Sequence, residues 1–199
     1  MKAVCLDFES ILFPEIWEKV AEETQIEELN LTTRDVSDYQ KLMDHRFKYL
    51  KENEIKYEDI KDIIMDIRPL NGAKDFINWL EKRYIVSILT DSFYEFIFPV
   101  LDEFNRPMAY ARQLEINDNG YLVDYKPKGI NIKLKALNNF KEINLETIAV
   151  GDSYNDIEML EAADKGIIFR PSNKVKEDYP KFETVQNYNE LKRVIKNNL

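Results

Sequence analysis

Two carboxylates stand one residue apart near the start of the chain, in the stretch CLDFES. They are Asp7 and Glu9, and they follow an apolar run, residues 3–6, with the composition of a buried strand. Side chains two apart on a strand point the same way, so both acids project from its carboxyl end while Phe8 faces the other side. Their repulsion must be offset by a divalent cation, a shared proton or solvent. Each of these solutions implies a different kind of protein.

Polar residues also follow two later apolar runs, and a lysine-rich stretch lies between them. After YIVSIL come Thr90, Asp91 and Ser92; after TIAV comes GDSYND, with Asp152, Asn155 and Asp156; the lysines are Lys126, Lys128 and Lys133. Each group alone has a structural explanation, because Thr, Asp and Ser are common helix N-caps and lysines commonly form a solvated surface. Their combination favours a chemical explanation.

Phosphoryl transfer needs these residue types together. Mg²⁺ takes oxygen ligands in octahedral geometry and keeps water and substrate phosphate in the rest of its shell, and Asp7 and Asp152 can supply carboxylates to it. A carboxylate can also attack phosphorus and carry it as an aspartyl-phosphate, which makes Asp7 the candidate nucleophile. Glu9 stands where a group is needed to protonate the leaving oxygen and later to activate water.

The phosphate's negative charge also has to be held during transfer. A hydroxyl, a backbone N–H at a helix start and one lysine are suited to this task. Thr90, the amide of Asp91 and Lys133 are the candidates. These assignments require that several distant parts of the chain meet at one place.

The periodicity of the sequence indicates how they meet. From residue 72 onward, helical and strand-length patterns alternate, including a helix over residues 92–104 and a hairpin at NDNG, and this alternation predicts a parallel sheet wrapped by helices. Such sheets bind ligands beyond the carboxyl ends of their strands. Residues 14–67 show only helical spacing, with three or four helices and with Thr33 or Asp35 as caps.

We therefore predict an α/β protein with a Rossmann-like, doubly wound parallel sheet. Residues 1–12 and 72–199 form this core, and residues 13–71 form an all-helical cap inserted into it. Two regions that are far apart in sequence thus build one domain.

Composition limits the partners. Of 199 residues, 44% are hydrophobic, enough for one substantial core, and the single Cys5 excludes an intrachain disulfide. With 37 acidic and 28 basic residues the net charge is -9, which argues against nucleic acid or an anionic membrane as the main partner. No apolar run approaches the roughly 20 residues that span a bilayer, so we expect a soluble cytoplasmic protein. The acidic, tyrosine-rich surface permits a homodimer without predicting one.

The four motifs, in this order, resemble those of the haloacid dehalogenase-type phosphohydrolases: D-x-E, a strand ending in Thr, a Lys, and G-D-x-x-x-D. The helical insert is similar to the cap of the phosphoserine phosphatase branch. Through CLDFES, PEIW, TTRD, DYQKLM, DSFYEF, LEI and AVGDSYND the chain most resembles the bifunctional phosphoserine phosphatase and homoserine phosphotransferase group, ThrH. The resemblance implies an Mg²⁺-dependent phosphatase of the small molecule phosphoserine that also transfers the phosphoryl group to homoserine.

The resemblance also implies a role for each motif residue. Asp7 is the nucleophile and a metal ligand, Glu9 is the proton donor with its backbone carbonyl on the metal, and Asp152 is the other protein ligand. The remaining residues bind substrate or support the metal: Thr90, Asp91 and Lys133 hold the phosphate, with Lys128 the next candidate lysine; Asn155 and Asp156 support the metal and its waters; Glu15 and Arg46 bind the ammonium and carboxylate of the amino acid.

One residue departs from the usual pattern, and two other functions stay open. Relatives usually have Gly after the second acid, whereas this chain has Ser10, so the turn must accommodate a Cβ or shift. The first alternative is a phosphatase for another small phosphomonoester, in which Glu15 and Arg46 serve only the cap's structure. The second is a phospho-acceptor module without turnover, similar to response-regulator receivers; Glu9 and the long insert weigh against it.

Overall fold

A seven-stranded sheet forms the centre of this computed structural model, which describes residues 1–32, 35–36 and 38–197. Its strands are β1 (Lys2–Leu6), β2 (Ile85–Phe93), β3 (Met108–Ile116), β4 (Leu122–Lys126), β5 (Glu146–Gly151), β6 (Lys165–Phe169) and β7 (Glu183–Val185). The spatial order is β4-β3-β2-β1-β5-β6-β7, and every pair is parallel except β3 with β4. The predicted α/β fold is confirmed, with the predicted NDNG hairpin as its antiparallel edge.

Helices cover both faces of the sheet. They are α1 (Ile16–Thr24), α2 (Tyr39–Glu52), α3 (Tyr57–Asp66), α4 (Ala73–Glu81), α5 (Tyr94–Ile97), α6 (Ile132–Glu142), α7 (Ile157–Ala162), α8 (Asn173–Asp178) and α9 (Tyr188–Asn197), with 3-10 helices at Glu27–Asn30, Phe98–Phe104 and Tyr154–Asp156. The sequence pattern predicts no helix or strand after β6, so β7, α8 and α9 are known only from the structure. No helix among the described residues is long and apolar enough to cross a membrane.

The central strand β1 shows why the sheet is doubly wound. Residues 3–6 are fully buried, as expected for a parallel strand covered on both faces. Because side chains alternate along a strand, Val4 and Leu6 join one hydrophobic cluster and Ala3 and Cys5 join the other. The backbone N–H of Asp7 donates to the carbonyl of Val150 at 2.9 Å, which places the end of β1 beside the end of β5.

Between β1 and α4 the regular elements of the described residues are α1, the 3-10 helix Glu27–Asn30, α2 and α3, in agreement with the predicted three or four helices. The buried side chains of this helical segment, such as Trp17 and Phe47, belong to the same hydrophobic cluster as Val4 and Leu6 of the sheet. The backbone N–H of Leu70 donates to the carbonyl of Leu12 at 3.0 Å, so the chain enters and leaves the helical segment at one place. The cap boundaries at residues 13 and 71 stay predictions.

The start of α2 differs from the expectation. Its N-cap is Asp38, whose carboxylate accepts hydrogen bonds from the amides of Gln40 and Lys41. Asp35 instead accepts from the amide and hydroxyl of Thr32 and so closes the preceding turn. The alternative cap, Thr33, lies outside the described residues. The predicted Asp35 cap was therefore wrong, because the Asp35 carboxylate binds Thr32, three residues earlier in the chain, and does not cap α2.

The largest difference concerns β2, which continues three residues beyond the predicted strand YIVSILT. The predicted helix over residues 92–104 is replaced by the end of β2, the short α5 and a 3-10 helix. Between Leu89 and Phe93 the register against β3 shifts, which makes a bulge. Pairing with β3 and the complete burial of Phe93 outweigh the capping propensity of Asp91 and Ser92. The amide of Asp91 consequently lies in a bulged strand and not at a helix start.

Candidate active site

The residues singled out in the sequence meet around one cavity at the carboxyl edge of the sheet. Its volume is about 280 Å³. Nine predicted site residues line it: Asp7, Glu9, Glu15, Arg46, Thr90, Asp91, Lys133, Asp152 and Asn155. Asp156, also predicted to support the site, is fully buried and is not among the lining residues. Asp7 and Glu9 follow β1, and Glu15 and Arg46 belong to the helical segment. The other lining residues of this set lie in the bulged part of β2, begin α6 or follow β5. Lys128 is not among the lining residues; it is exposed and pairs with Asp124 at 2.6 Å.

Lys133 is the buried cation of the cavity. It lies in the first turn of α6, and its Nζ is 2.7 Å from Oδ1 of Asp156, 3.0 Å from Oδ2 of Asp7 and 3.7 Å from Oδ2 of Asp91. Burial alone would lower the pKa of Lys133, but the surrounding carboxylates raise it well above its ordinary value. The ammonium therefore stays charged and offsets the acids around it.

Asp7 lies immediately beyond β1 and is buried. Its Oδ1 accepts a hydrogen bond from the amide of Phe8 at 2.7 Å. Burial, together with the negative charges of Asp156 and Asp152, raises its pKa well above its ordinary value, although Lys133 acts in the opposite direction. Phe8 is fully buried against Phe13, in the same hydrophobic cluster as Val4 and Leu6, whereas Asp7 lines the cavity.

Asp156 explains the spacing of G-D-x-x-x-D. A Cβ on Gly151 would lie 2.3 Å from Cγ of Asp156, so residue 151 must be glycine for that carboxyl to fit. Oδ2 of Asp156 accepts from the amides of Asp152 and Ser153, at 2.9 and 3.1 Å, while Oδ1 accepts from Lys133. Asp156 thus fastens the loop after β5 to the cationic side chain of α6.

The donor set fits a hard divalent cation. Asp7, Asp152 and Asp156 each place one carboxylate oxygen so that the three lie within 4.8 Å of one another. Carboxylate oxygens are the ligands that Mg²⁺ prefers. Asp156 already accepts from two amides and Lys133, which leaves Asp7 and Asp152 as the better candidates to hold an ion. That Asp7, Asp152 and the backbone carbonyl of Glu9 bind the metal stays a prediction.

Glu9 and Glu15 form a second wall of the cavity, on the side of the helical segment. Oε1 of Glu9 accepts from the amide of Ile16 at the start of α1, 2.7 Å away, where the helix dipole favours an anion. Burial and the charge of Glu15 raise the pKa of Glu9 to about 8, although Arg46 and the amide of Ile16 oppose this shift. Ser10 adopts a left-handed φ of 60°, so the turn accommodates its Cβ, and its hydroxyl donates to Oε1 of Glu15 at 2.7 Å.

Arg46 reaches the same wall from α2. Its Nη2 donates to the carbonyl of Leu31 at 2.7 Å, and its guanidinium lies 4.5 Å from the centre of the Trp17 ring. Burial lowers its pKa to about 10, so it is charged at neutral pH. Its Nε is buried without a hydrogen-bond partner among the described residues. A buried donor of this kind is costly, and a ligand carboxylate would satisfy it.

Comparison with known proteins agrees with this geometry. A family model described as haloacid dehalogenase-like hydrolase matches residues 1–164. The chain belongs to this family. A protein of Pseudomonas aeruginosa named phosphoserine phosphatase ThrH is 41% identical over 193 residues, covering 97% of this chain and 94% of the relative.

Two solved structures are also similar to this haloacid dehalogenase-like hydrolase. One is described as a phospho-aspartyl intermediate analogue of phosphoserine phosphatase, with TM-score 0.79, 25% identity and coverage of 97% and 98% of the two chains. The other is a substrate-bound phosphoserine phosphatase complex, with TM-score 0.77, 25% identity and coverage of 98% and 97%. The similarity extends over both the sheet and the helical segment.

Two residues near the cavity of this hydrolase were missed in the sequence. Tyr39, the first residue of α2, donates its hydroxyl to the backbone carbonyl of Asp91 at 2.8 Å. Arg112 of β3 is buried and pairs with Oδ1 of Asp91 at 3.0 Å. An arginine inside a strand-length run is a signal for a buried ion pair, but its partner depends on which strand lies alongside.

The site predicts a large effect of removing the Lys133 charge. We expect Lys133→Met, measured by urea unfolding with a chelator present, to lower the free energy of unfolding by about 3–5 kcal/mol, because Asp7 and Asp156 lose their buried cation. The matched control is Lys128→Met, which removes an exposed lysine and should leave the free energy of unfolding nearly unchanged. Equal stabilities of the two variants would contradict the central role of Lys133.

Proposed function

We propose that this chain is an Mg²⁺-dependent phosphoserine phosphatase that acts through an aspartyl-phosphate on Asp7. The observation that carries the proposal is the pairing of Asp7 with Lys133, 3.0 Å apart, inside a cavity that is also lined by Arg46 and Glu15 of the helical segment. One end of the cavity suits a phosphate and the other an amino acid. The substrate named for the similar structures and the 41% identical relative supports the same choice.

The chain's own residues account for both steps. An oxygen of Asp7 attacks phosphorus, the bond from phosphorus to the seryl oxygen breaks, and Glu9 gives that oxygen a proton. In the second step Glu9 takes a proton from water, which attacks the aspartyl-phosphate and restores Asp7. Lys133, the Thr90 hydroxyl and the Asp91 amide hold the negative phosphate oxygens throughout. Mg²⁺ bound by Asp7 and Asp152 would offset the charge on the phosphate.

The amino-acid end of the substrate explains the second wall. The guanidinium of Arg46 matches a carboxylate, and the substrate's carboxylate would supply the acceptor that its buried Nε lacks. Glu15 would pair with the ammonium group. Thr90, Asp91 and Asn155 are proposed for the phosphate end, and Lys133 is preferred over the exposed Lys128 because only Lys133 lines the cavity. The cytoplasmic location stays a sequence-based prediction, and the acidic, tyrosine-rich surface permits a homodimer without predicting one.

Phosphate release from L-phosphoserine with Mg²⁺ tests the proposal directly. We expect turnover by the wild-type protein, loss of at least about 1000-fold in kcat for Asp7→Asn, because an amide cannot form the aspartyl-phosphate, and loss of activity with EDTA. Turnover of an aryl phosphate but not of phosphoserine, abolished in Asp7→Asn, would retain the mechanism and reject this substrate. Full activity of Asp7→Asn would reject the mechanism.

Homoserine as a second acceptor is also part of the proposal. Attack on the aspartyl-phosphate by the hydroxyl of homoserine is the same displacement as attack by water, so the outcome depends on which molecule is positioned and on how dry the closed cavity is. With phosphoserine as donor, added homoserine should yield phosphohomoserine while phosphate release falls. Unchanged phosphate release without phosphohomoserine would show that water is the acceptor.

Arg46 should govern recognition of the amino acid. We expect Arg46→Ala to raise KM for phosphoserine by at least about 30-fold, since truncating one partner of a buried charge pair costs about 2–5 kcal/mol. KM for an aryl phosphate, which has no amino-acid group, should change little. Arg68→Ala is the matched control, because Arg68 is exposed and outside the cavity lining. An equal rise in KM for both substrates would favour a purely structural Arg46 and another phosphomonoester as substrate.

A further inference from the structure

Arg112 is a buried arginine of β3 that none of the roles above uses. Its Nη1 donates to the carbonyl of Pro127 at 2.6 Å, and its Nη2 donates to the carbonyl of Ile130 at 3.1 Å. The guanidinium also lies 4.9 Å from the centre of the Tyr39 ring and 5.6 Å from that of Tyr125. These contacts come from three different elements, so the position of the charge is fixed by the fold.

The acid that faces this arginine belongs to the cavity. Oδ1 of Asp91 accepts from Nη2 of Arg112 at 3.0 Å, and Oδ2 accepts from Nδ2 of Asn155 at 3.3 Å. The other nearby cation is Lys133, which is 3.7 Å from Asp91 but closer to Asp7 and Asp156. Arg112 is thus the nearest cation to the Asp91 carboxylate among the described residues.

The pairing of Arg112 with Asp91 offsets an electrostatic repulsion at the proposed phosphate site. Asp91 would offer its backbone amide to the phosphate, yet its side chain carries a charge of the same sign. At short range in a partly buried cavity such repulsion is strong, because screening by water is reduced. Without a second cation, Asp91 would also draw Lys133 away from Asp7.

We propose that Arg112 is a positioning residue for phosphate binding. It holds the Asp91 carboxylate towards β3 and offsets its charge, which leaves the Asp91 amide and Lys133 available to the anion. The inference rests on the proposed function, since it assumes a phosphate group at this end of the cavity. It concerns the binding of the anion and not the bond-making steps.

The test compares Arg112→Gln, Asp91→Asn and the double variant. Binding of inorganic phosphate, measured by calorimetry with Mg²⁺ present, needs no turnover; KM and kcat for phosphoserine are measured alongside. We expect Arg112→Gln to weaken phosphate binding and raise KM by at least about 10-fold, and added Asp91→Asn to recover most of that loss. Asp91→Asn alone keeps the backbone amide that would contact the phosphate and removes the carboxylate that repels it, so this variant should bind phosphate more tightly than the wild-type protein. The control Arg106→Gln removes an exposed arginine outside the cavity lining and should change neither quantity.

The double variant separates charge compensation from a merely structural role. If Arg112 only supported the loop at residues 127–130, removing the Asp91 charge would not restore binding. The inference is overturned by a double variant that binds no better than Arg112→Gln, or by unchanged binding in Arg112→Gln. If Arg112→Gln does not fold, tighter phosphate binding by Asp91→Asn supports the inference, and equal or weaker binding overturns it. Wild-type protein that binds phosphate but does not hydrolyse phosphoserine contradicts the proposed function alone.

Discussion

The structure depends on one buried interaction, the ammonium group of Lys133 among the carboxylates of Asp7 and Asp156. Burying these charges costs several kcal/mol for each ion, and the cost is offset only when the opposite charges are held in good geometry with their remaining hydrogen bonds made. Here they are, because Asp156 also accepts from two amides and Asp7 from one. A hydrophobic cluster could stabilise the fold as well, but it could not present a carboxylate beside a fixed cation.

The parallel sheet is what brings these groups together. The strand β1 lies between β2 and β5, so the loops that follow all three meet at one edge of the sheet. The chain connects these strands through helices, and the first turn of α6 delivers Lys133 to the same edge. Gly151 lets the carboxyl of Asp156 approach the backbone, and this close approach ties α6 to the loop after β5. Local sequence choices and global topology therefore serve the same cluster.

The helical segment forms the other half of the cavity. It supplies Glu15 and Arg46, and its helix α2 reaches the sheet through the hydrogen bond from the Tyr39 hydroxyl to the Asp91 carbonyl. The hydroxyl of Tyr57 in α3 donates to the backbone carbonyl of Glu95 in α5 at 3.0 Å. The backbone hydrogen bond from Leu70 to Leu12 holds together the two segments that connect the helical segment to the sheet. A substrate in this cavity would lie between the sheet edge and the helical segment. Exclusion of water from that space would favour displacement by a positioned acceptor.

The sequence by itself determined the fold class and the residue types of the site. Alternating helical and strand periodicities depend on local order, and the motif residues follow apolar runs, so Asp7 and Asp152 could be placed at strand ends without a structure. Only the tertiary structure decided what depends on distant partners. Pairing with β3 extended β2 through Asp91, and the packing of α6 placed Lys133, and not Lys128, in the cavity lining. The partner of Arg112 could be identified only from the pairing of β3 with β2, because an ion pair between residues 91 and 112 is set by strand register and not by local sequence.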